Sequence, residues 1–170
     1  TDRPPIAKTD VNVSSQVFCL KAAIIPSKVP ITVPSIIAWI PIWKEGPAEV
    51  ELFSKLLPVK SHRVLGNHDG KNLGAWGKTW KGVYDLLDLI IKKDGEDIRL
   101  TLSHYPILDW NHRYRGAWNL HGHCHGSIDK LNEESAELRL DIGFDSDIAS
   151  RTGSFLVSFE DVLTEMKKKV

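Results

Sequence analysis

The sequence has few of the features that mark secreted, membrane or nucleic-acid-binding proteins. Only two of its 170 residues are cysteines, too few for a disulfide framework, which favours a reduced, cytoplasmic setting. No run reaches the roughly 18 apolar residues that cross a bilayer, and no apolar run of a signal peptide follows Thr1. Basic and acidic residues balance at 22 each, so no net charge attracts nucleic acid or an anionic membrane. The length and composition predict one globular domain over residues 1–170.

A second absence divides the chain into two parts. No acidic residue lies between Asp10 and Glu45, and seven of the nine prolines fall within the first 50 residues. Because proline is excluded from central strands, this segment predicts an irregular packed arm, or edge strands broken by proline. All seven histidines follow residue 61, so the candidate chemistry lies in the second part.

After residue 45 the hydrophobic pattern predicts a mixture of helices and strands. Helices are predicted for AEVELFSKLL and for SFEDVLTEMKKK, where Ser158 is the N-cap and Asp161 follows three residues later. The stretch WKGVYDLLDLIIKK predicts a helix or a helix-strand mixture. Strands are predicted in four stretches: HRVLGNHDG, IRLTLSHYPI after the Asp94-Gly95 turn, GAWNLHGHCHG, and ELRLDIGF. The pattern indicates an α/β fold.

Three predicted strands end in side chains that bind metals or transfer protons: Asn67-His68-Asp69, His104, and His121, His123 and His125. Functional groups gather at the carboxyl ends of strands, and alternation puts the last three histidines on one face if the segment stays extended. Imidazole and amide ligands suit Mn, Fe, Zn or Ni. Each motif alone is as typical of a structural turn or strand end as of a functional site. Together the three motifs predict a metal site.

Taken in order, GNHD, SHYP and HGHCH resemble the motifs of the calcineurin-like metallophosphoesterases. The run SHYPILDWNHRYRGAWNLHGHCHG resembles the small single-domain members from bacteria and phages, and the match covers residues 45–170. The resemblance implies a two-layered β-sandwich flanked by helices, with two divalent metals on loops at strand carboxyl ends. It also implies hydrolysis of a phosphomonoester or phosphodiester, in which the metals clamp the ester and a bridging hydroxide attacks phosphorus.

The same resemblance assigns the metal ligands. Asn67, His104 and His123 bind one metal, and His125 binds the other. An early Asp-x-His motif is also expected. Asp2 stands at about its position as a further ligand, but Pro4 replaces the histidine.

The resemblance also assigns the catalytic residues. His68 contacts the phosphate and assists the leaving oxygen, and Asp69 holds the His68 imidazole in its tautomer. The expected partner is a phosphate-ester small molecule or a nucleotide. Nucleic acid remains open, no membrane partner is predicted, and the oligomeric state is not predicted.

The carboxylate that bridges the two metals in the family is missing, because its expected position falls in the acid-free stretch SIIAWIPIW. Two cations with less compensating charge repel each other, so one of the two metal sites is expected to be empty or weak. Three explanations are open. The segment is a genuine divergence, it is a frameshifted reading that returns to frame near Lys44, or other residues such as Asp10 or Glu45 supply the ligands. The composition of residues 1–45 favours the frameshift.

Two further functions stay open beside the phosphoesterase. One is a catalytically impaired family member that acts as a binding module, and the other is a histidine-rich metal-binding protein without ester chemistry. Two groups of residues are interpreted as structural, the first as a solvated loop and the second as solvated or loop-capping groups, with a functional alternative each. Arg113, Tyr114 and Arg115 are candidates to contact substrate, and Asp141, Asp145 and Asp147 are candidates to replace a lost ligand.

Overall fold

A computed structural model describes the chain over residues 7–11, 17–19, 36–38, 61–67, 69, 82–153 and 157–170, with side chains from residue 62 onward. These residues form a mixed α/β fold with ten strands in two five-stranded sheets, three short α-helices and one 3-10 turn.

The first sheet has the strand order β1-β6-β7-β8-β9. Its strands are β1 (Ala7–Val11), β6 (Leu86–Lys93), β7 (Glu96–Ser103), β8 (Trp118–His121) and β9 (Arg139–Asp141). The second sheet has the order β10-β3-β2-β4-β5. Its strands are β2 (Val17–Cys19), β3 (Ile36–Ala38), β4 (Ser61–Val64), β5 (Gly82–Tyr84) and β10 (Val157–Ser158).

Strands β6 and β7 form an antiparallel hairpin around the predicted Asp94-Gly95 turn. Asp94 and Gly95 both have positive φ, 52° and 86°, as a tight two-residue hairpin turn requires. The helical interpretation of WKGVYDLLDLIIKK was wrong, because this stretch contains β5 and β6. Leu87, Leu89 and Ile91 are each at most 3% exposed, so the buried residues recur at the strand period of two.

The three helices follow the first-sheet strands or precede the C-terminus. They are α1 (Asp129–Glu134), α2 (Asp147–Thr152) and α3 (Phe159–Lys167). The predicted cap of α3 is confirmed: the Asp161 N–H donates to Ser158 Oγ at 3.1 Å, and the Ser158 N–H donates to Asp161 Oδ2 at 3.0 Å. The predicted helix AEVELFSKLL lies outside the described residues. Within the described part of the chain, no helix is long and apolar enough to cross a membrane.

One continuous hydrophobic cluster contains side chains from both sheets and from two of the helices. Val64 of β4 and Val157 of β10 lie in it with Leu87 and Leu102 of the first sheet, and Met166 of α3 is fully buried there. At roughly 25 cal/mol per Å² of buried apolar surface, such a cluster is the main favourable term for folding.

The strands of the proline-rich segment pair with strands from the rest of the chain. β2 lies between β3 and β4, and β1 pairs with β6 at a sheet edge. The prediction of edge strands alone was therefore wrong. The reason is that the prolines fall between the strands, and VFC and IIA contain none. The pairing of β2 with β3 counts against the frameshift explanation.

Strand register also bears on Asp10 as a replacement ligand. Asp10 pairs with Ile90, whereas Leu86 pairs with Ser103, next to His104. At about 3.3 Å per residue, four residues of β6 separate these two levels by about 13 Å. Asp10 therefore does not lie at the strand end that carries His104. Glu45 lies outside the described residues.

Candidate functional site

The carboxyl ends of β7 and β8 lie side by side and bring two of the predicted ligands together. The two strands are parallel, with Leu102 opposite Leu120. Beyond them the Gly122 N–H donates to the His104 carbonyl at 3.2 Å. This bond fixes the turn that carries His123 beside His104. Asn67 arrives from the second sheet, three residues after β4 ends.

Side-chain atoms of Asn67, His104 and His123 that could bind a metal lie close together at this point. His104 Nε2 lies 2.8 Å from Asn67 Oδ1 and 3.0 Å from His123 Nδ1. A neutral imidazole nitrogen carries either one hydrogen or one lone pair. His104 Nε2 therefore makes only one good hydrogen bond to these two neighbours.

The same distances suit a shared cation. At metal–nitrogen distances of about 2.0–2.1 Å, neighbouring ligand atoms are about 3.0 Å apart in octahedral geometry and about 3.4 Å apart in tetrahedral geometry. The two distances from His104 Nε2 are therefore compatible with a cation shared by two imidazoles and one amide oxygen. Among the described residues, no group of three or more His, Cys, Asp or Glu side chains is arranged to hold a metal ion, so this set has no carboxylate.

Gly66 allows the His104 ring to lie close to the backbone that leads into Asn67. A Cβ on Gly66 would lie 2.7 Å from both Cε1 and Nδ1 of His104. Any larger residue would displace the buried ring, which is 4% exposed. The glycine of GNHD is therefore required by packing.

The three histidines of HGHCH do not share a face, so that expectation was wrong. β8 ends at His121, and the backbone of His123 and His125 is left-handed, with φ of 68° and 51°. Alternation requires extended backbone, and the turn at Gly122 ends it.

His121 is a buried structural residue. Asn132 Nδ2 donates to its Nε2 at 3.2 Å, and its Nδ1 donates to the Gly122 carbonyl at 2.9 Å. Burial lowers the pKa of His121 to about 4, against the smaller opposing effect of the Gly122 bond. The ring is therefore neutral near pH 7, and it supports the turn that carries His123.

His125 points toward a different partner. Its Nδ1 lies 2.5 Å from Asp145 Oδ2, and its ring meets the Phe144 ring edge-on, with 6.1 Å between centroids. The resemblance assigned His125 to the second metal, apart from the set around His104. The contacts of His125 with Asp145 and Phe144 do not test this assignment, which stays a prediction.

Asp69 anchors the turn between β4 and Asn67. Its Oδ1 accepts from the buried Arg63, and its Oδ2 accepts the Gly66 N–H at 2.5 Å. Removing one partner of a buried ion pair typically costs about 3–5 kcal/mol, so Asp69 is structurally important. Its predicted contact with His68 lies outside the described residues, as do His68 itself and Asp2.

The remaining candidates divide between structural and exposed positions. Arg113 forms an ion pair with Glu137 through its Nη2, and its Nε donates to Glu137 at 2.6 Å, so it is bound within the protein. Tyr114 and Arg115 are exposed. Cys124 is a free thiol whose pKa is raised, chiefly by burial.

Sequence reasoning missed Tyr105. Its ring lies 4.4 Å from the His123 ring and 4.8 Å from the His104 ring, centroid to centroid, while 49% of the residue is exposed. Adjacency to His104 in SHYP was the one available signal, and it does not specify a ring packed across two imidazoles.

Comparison with known proteins finds no match: no protein-family model, curated protein or solved structure resembles the chain significantly.

Proposed function

We propose that the chain is a metal-dependent phosphoesterase that hydrolyses a phosphomonoester or a phosphodiester. The observation that carries the proposal is the convergence of Asn67, His104 and His123, at 2.8 Å and 3.0 Å between donor atoms. The family resemblance assigns residues from three short motifs, far apart in sequence, to one metal. The two five-stranded sheets support the two-layered sandwich that is part of the same proposal.

The proposed roles are those that the family resemblance implies. Asn67, His104 and His123 would hold one divalent metal, and His125 would hold a second. Bound metals supply Lewis-acid stabilisation of the ester and an activated water. In the hydrolysis, the bond from phosphorus to the leaving oxygen breaks and one to water oxygen forms. His68 is proposed to donate the proton that the leaving oxygen requires.

A phosphate-ester binding module is the second candidate function. The observation that favours it is the absence, within the described ranges, of a cluster of three or more His, Cys, Asp or Glu that could hold a metal. A site of two imidazoles and an amide is neutral, and a carboxylate-free site holds a divalent cation less tightly. Such a chain would bind the phosphate without turnover.

Hydrolysis of bis-p-nitrophenyl phosphate, with and without Mn²⁺, separates the two candidates. We expect manganese-dependent turnover that falls by at least about 100-fold in His104→Ala, because this variant removes a proposed ligand. His112→Asn is the matched control, since His112 has φ of 60° and asparagine tolerates that conformation. Phosphate binding without turnover in the wild type would favour the binding module.

The role of His68 needs a second comparison. General acid catalysis typically contributes about 10²–10⁴-fold, but nitrophenolate is a good leaving group and needs little protonation. We expect His68→Ala to lose more activity on an alkyl phosphate ester than on the nitrophenyl ester. Equal losses on both esters would exclude His68 as the proton donor.

A further inference from the structure

The hydrogen bond between His125 and Asp145 determines which nitrogen of the imidazole carries the hydrogen. A carboxylate accepts hydrogen bonds but does not donate them. At 2.5 Å between Nδ1 and Oδ2, the hydrogen lies on Nδ1, and the lone pair of the neutral ring is therefore on Nε2. Histidines that bind metals through one nitrogen usually donate from the other nitrogen to a carboxylate or a carbonyl.

A rigid turn holds Asp145 in place. The Gly143 N–H donates to Asp141 Oδ1 at 2.8 Å, and the Ser146 hydroxyl donates to the Gly143 carbonyl at 2.6 Å. Asp141 and Ser146 are fully buried, and Ser146 caps α2. The Asp145 carboxylate therefore projects from a fixed backbone, which a positioning group requires.

The backbone around His125 is also specialised. His125 has φ of 51°, a conformation that costs roughly 1–3 kcal/mol in a residue other than glycine and persists where the surroundings enforce it. At Gly126, φ is 74° and a Cβ would come within 3.2 Å of the Asp145 carbonyl oxygen. The histidine loop and the Asp145 turn are thus packed closely enough to hold the ring.

We propose that Asp145 is a positioning residue that fixes the Nδ1–H tautomer of His125 and so directs the Nε2 lone pair toward a divalent cation. That His125 binds a cation rests on the proposed function. That Asp145 fixes the Nδ1–H tautomer does not. The rival role for Asp145 is direct ligation, because its Oδ1 is buried and has no hydrogen-bond partner among the described residues.

The test reads the tautomer first, in metal-free protein without substrate. Proton–nitrogen correlation spectra of the histidine rings at pH 8, above the ordinary imidazole pKa of about 6.5, assign the hydrogen to Nδ1 or Nε2. We expect Nδ1–H for His125 in the wild type and in Asp145→Asn, whose carbonyl oxygen still accepts. In Asp145→Ala we expect Nε2–H to predominate. Asp147→Asn is the matched control, because it removes an exposed carboxylate two residues away.

Calorimetric titration with Mn²⁺ then measures the metal affinity. We expect affinity at the His125 site to fall about 10–100-fold in Asp145→Ala and by less than tenfold in Asp145→Asn. A wild-type His125 with its hydrogen on Nε2, or a tautomer unchanged by Asp145→Ala, overturns the proposal. Affinity lost equally in both variants identifies Asp145 as a direct ligand and also overturns it. If turnover is absent while tautomer and affinity shift as expected, only the proposed function fails.

Discussion

At the scale of single residues, the space at Gly66 determines how the two sheets meet at the candidate site. Asn67 follows strand β4 of the second sheet and His104 follows strand β7 of the first, and Asn67 Oδ1 lies 2.8 Å from His104 Nε2. They approach this closely because the His104 ring occupies the volume that a Cβ on Gly66 would fill. The glycine acts by its size, since its φ is not among the positive values.

Replacing Gly66 with alanine is therefore expected to displace His104. We expect a loss of about 1–3 kcal/mol in the free energy of unfolding, as for other overpacked sites, measured by urea denaturation. The His104 ring signals should shift as its contacts with Asn67 and His123 break. Gly153→Ala is the control, because its φ of 64° adds backbone strain with nothing within 4 Å of the new Cβ. Unchanged His104 signals in Gly66→Ala would contradict the argument.

At the residue scale, His104 Nε2 lies 2.8 Å from Asn67 Oδ1 and 3.0 Å from His123 Nδ1. Sequence reasoning grouped these three residues through the family resemblance, and their assignment to one metal stays a prediction. Sequence reasoning failed where it depended on alternation beyond a strand end, since His121 is buried and bonded to Asn132. Tyr105 contacts His104 and His123, and Asp145 contacts His125, through tertiary contacts across the turns. Spacing along the chain does not encode these contacts.

At the scale of elements, strand and helix assignments succeeded where the local chemistry had one interpretation. The capping box of α3 and the hairpin turn at Asp94-Gly95 each specify one structure. The stretch Leu86–Lys93 was ambiguous because its apolar residues fit both periods. Pairing with β1 on one side and β7 on the other resolved it, and β1 is distant in sequence and not recognisable in the local pattern.

Asp129 joins two helices at their first turns. It is the first residue of α1, and its Oδ2 accepts the N–H of Asp147, the first residue of α2, at 2.7 Å. Burial raises the pKa of Asp129 to about 6 from 3.8, the Asp147 bond opposes the shift, and the nearby Asp141 adds to it. The carboxylate borders a cavity of about 20 Å³, large enough for one water.

This raised pKa predicts a pH dependence of stability with a definite sign. Between pH 3.8 and about 6 the folded chain binds more protons at Asp129 than the unfolded chain does, so the unfolding free energy falls as pH rises through this range. Asp129→Asn cannot ionise, and its carbonyl still accepts the Asp147 N–H. We expect its stability relative to the wild type to improve from pH 4 to pH 7.

The size of that improvement is at most about 3 kcal/mol, and water at the cavity reduces it by screening the charge. Urea denaturation at pH 4, 5, 6 and 7 measures the difference. Glu134→Gln is the control, because Glu134 lies in the same helix and is exposed. A difference between Asp129→Asn and wild type that stays constant with pH would contradict the assignment.

At the scale of the whole molecule, the first 45 residues determine whether both sheets are complete. β2 and β3 connect β10 to β4 in the second sheet, and β1 covers one edge of β6 in the first. Without them the second sheet would keep only the β4–β5 pair, and an isolated strand pair is marginally stable in water. The composition of this segment is unlike the rest of the chain, yet the fold as described depends on it.

Deleting residues 1–45 therefore tests whether this segment belongs to the fold. We expect the truncated chain to lose its cooperative unfolding transition. Circular dichroism during urea denaturation measures this transition. Phe18→Pro, in the interior strand β2, should destabilise the full chain by about 3 kcal/mol or more, because proline removes a ladder hydrogen bond. Phe18→Val keeps strand propensity and is the matched control. If the truncated chain unfolded cooperatively at an unchanged midpoint, β1, β2 and β3 would not belong to the folded domain. The frameshift explanation would then regain its support.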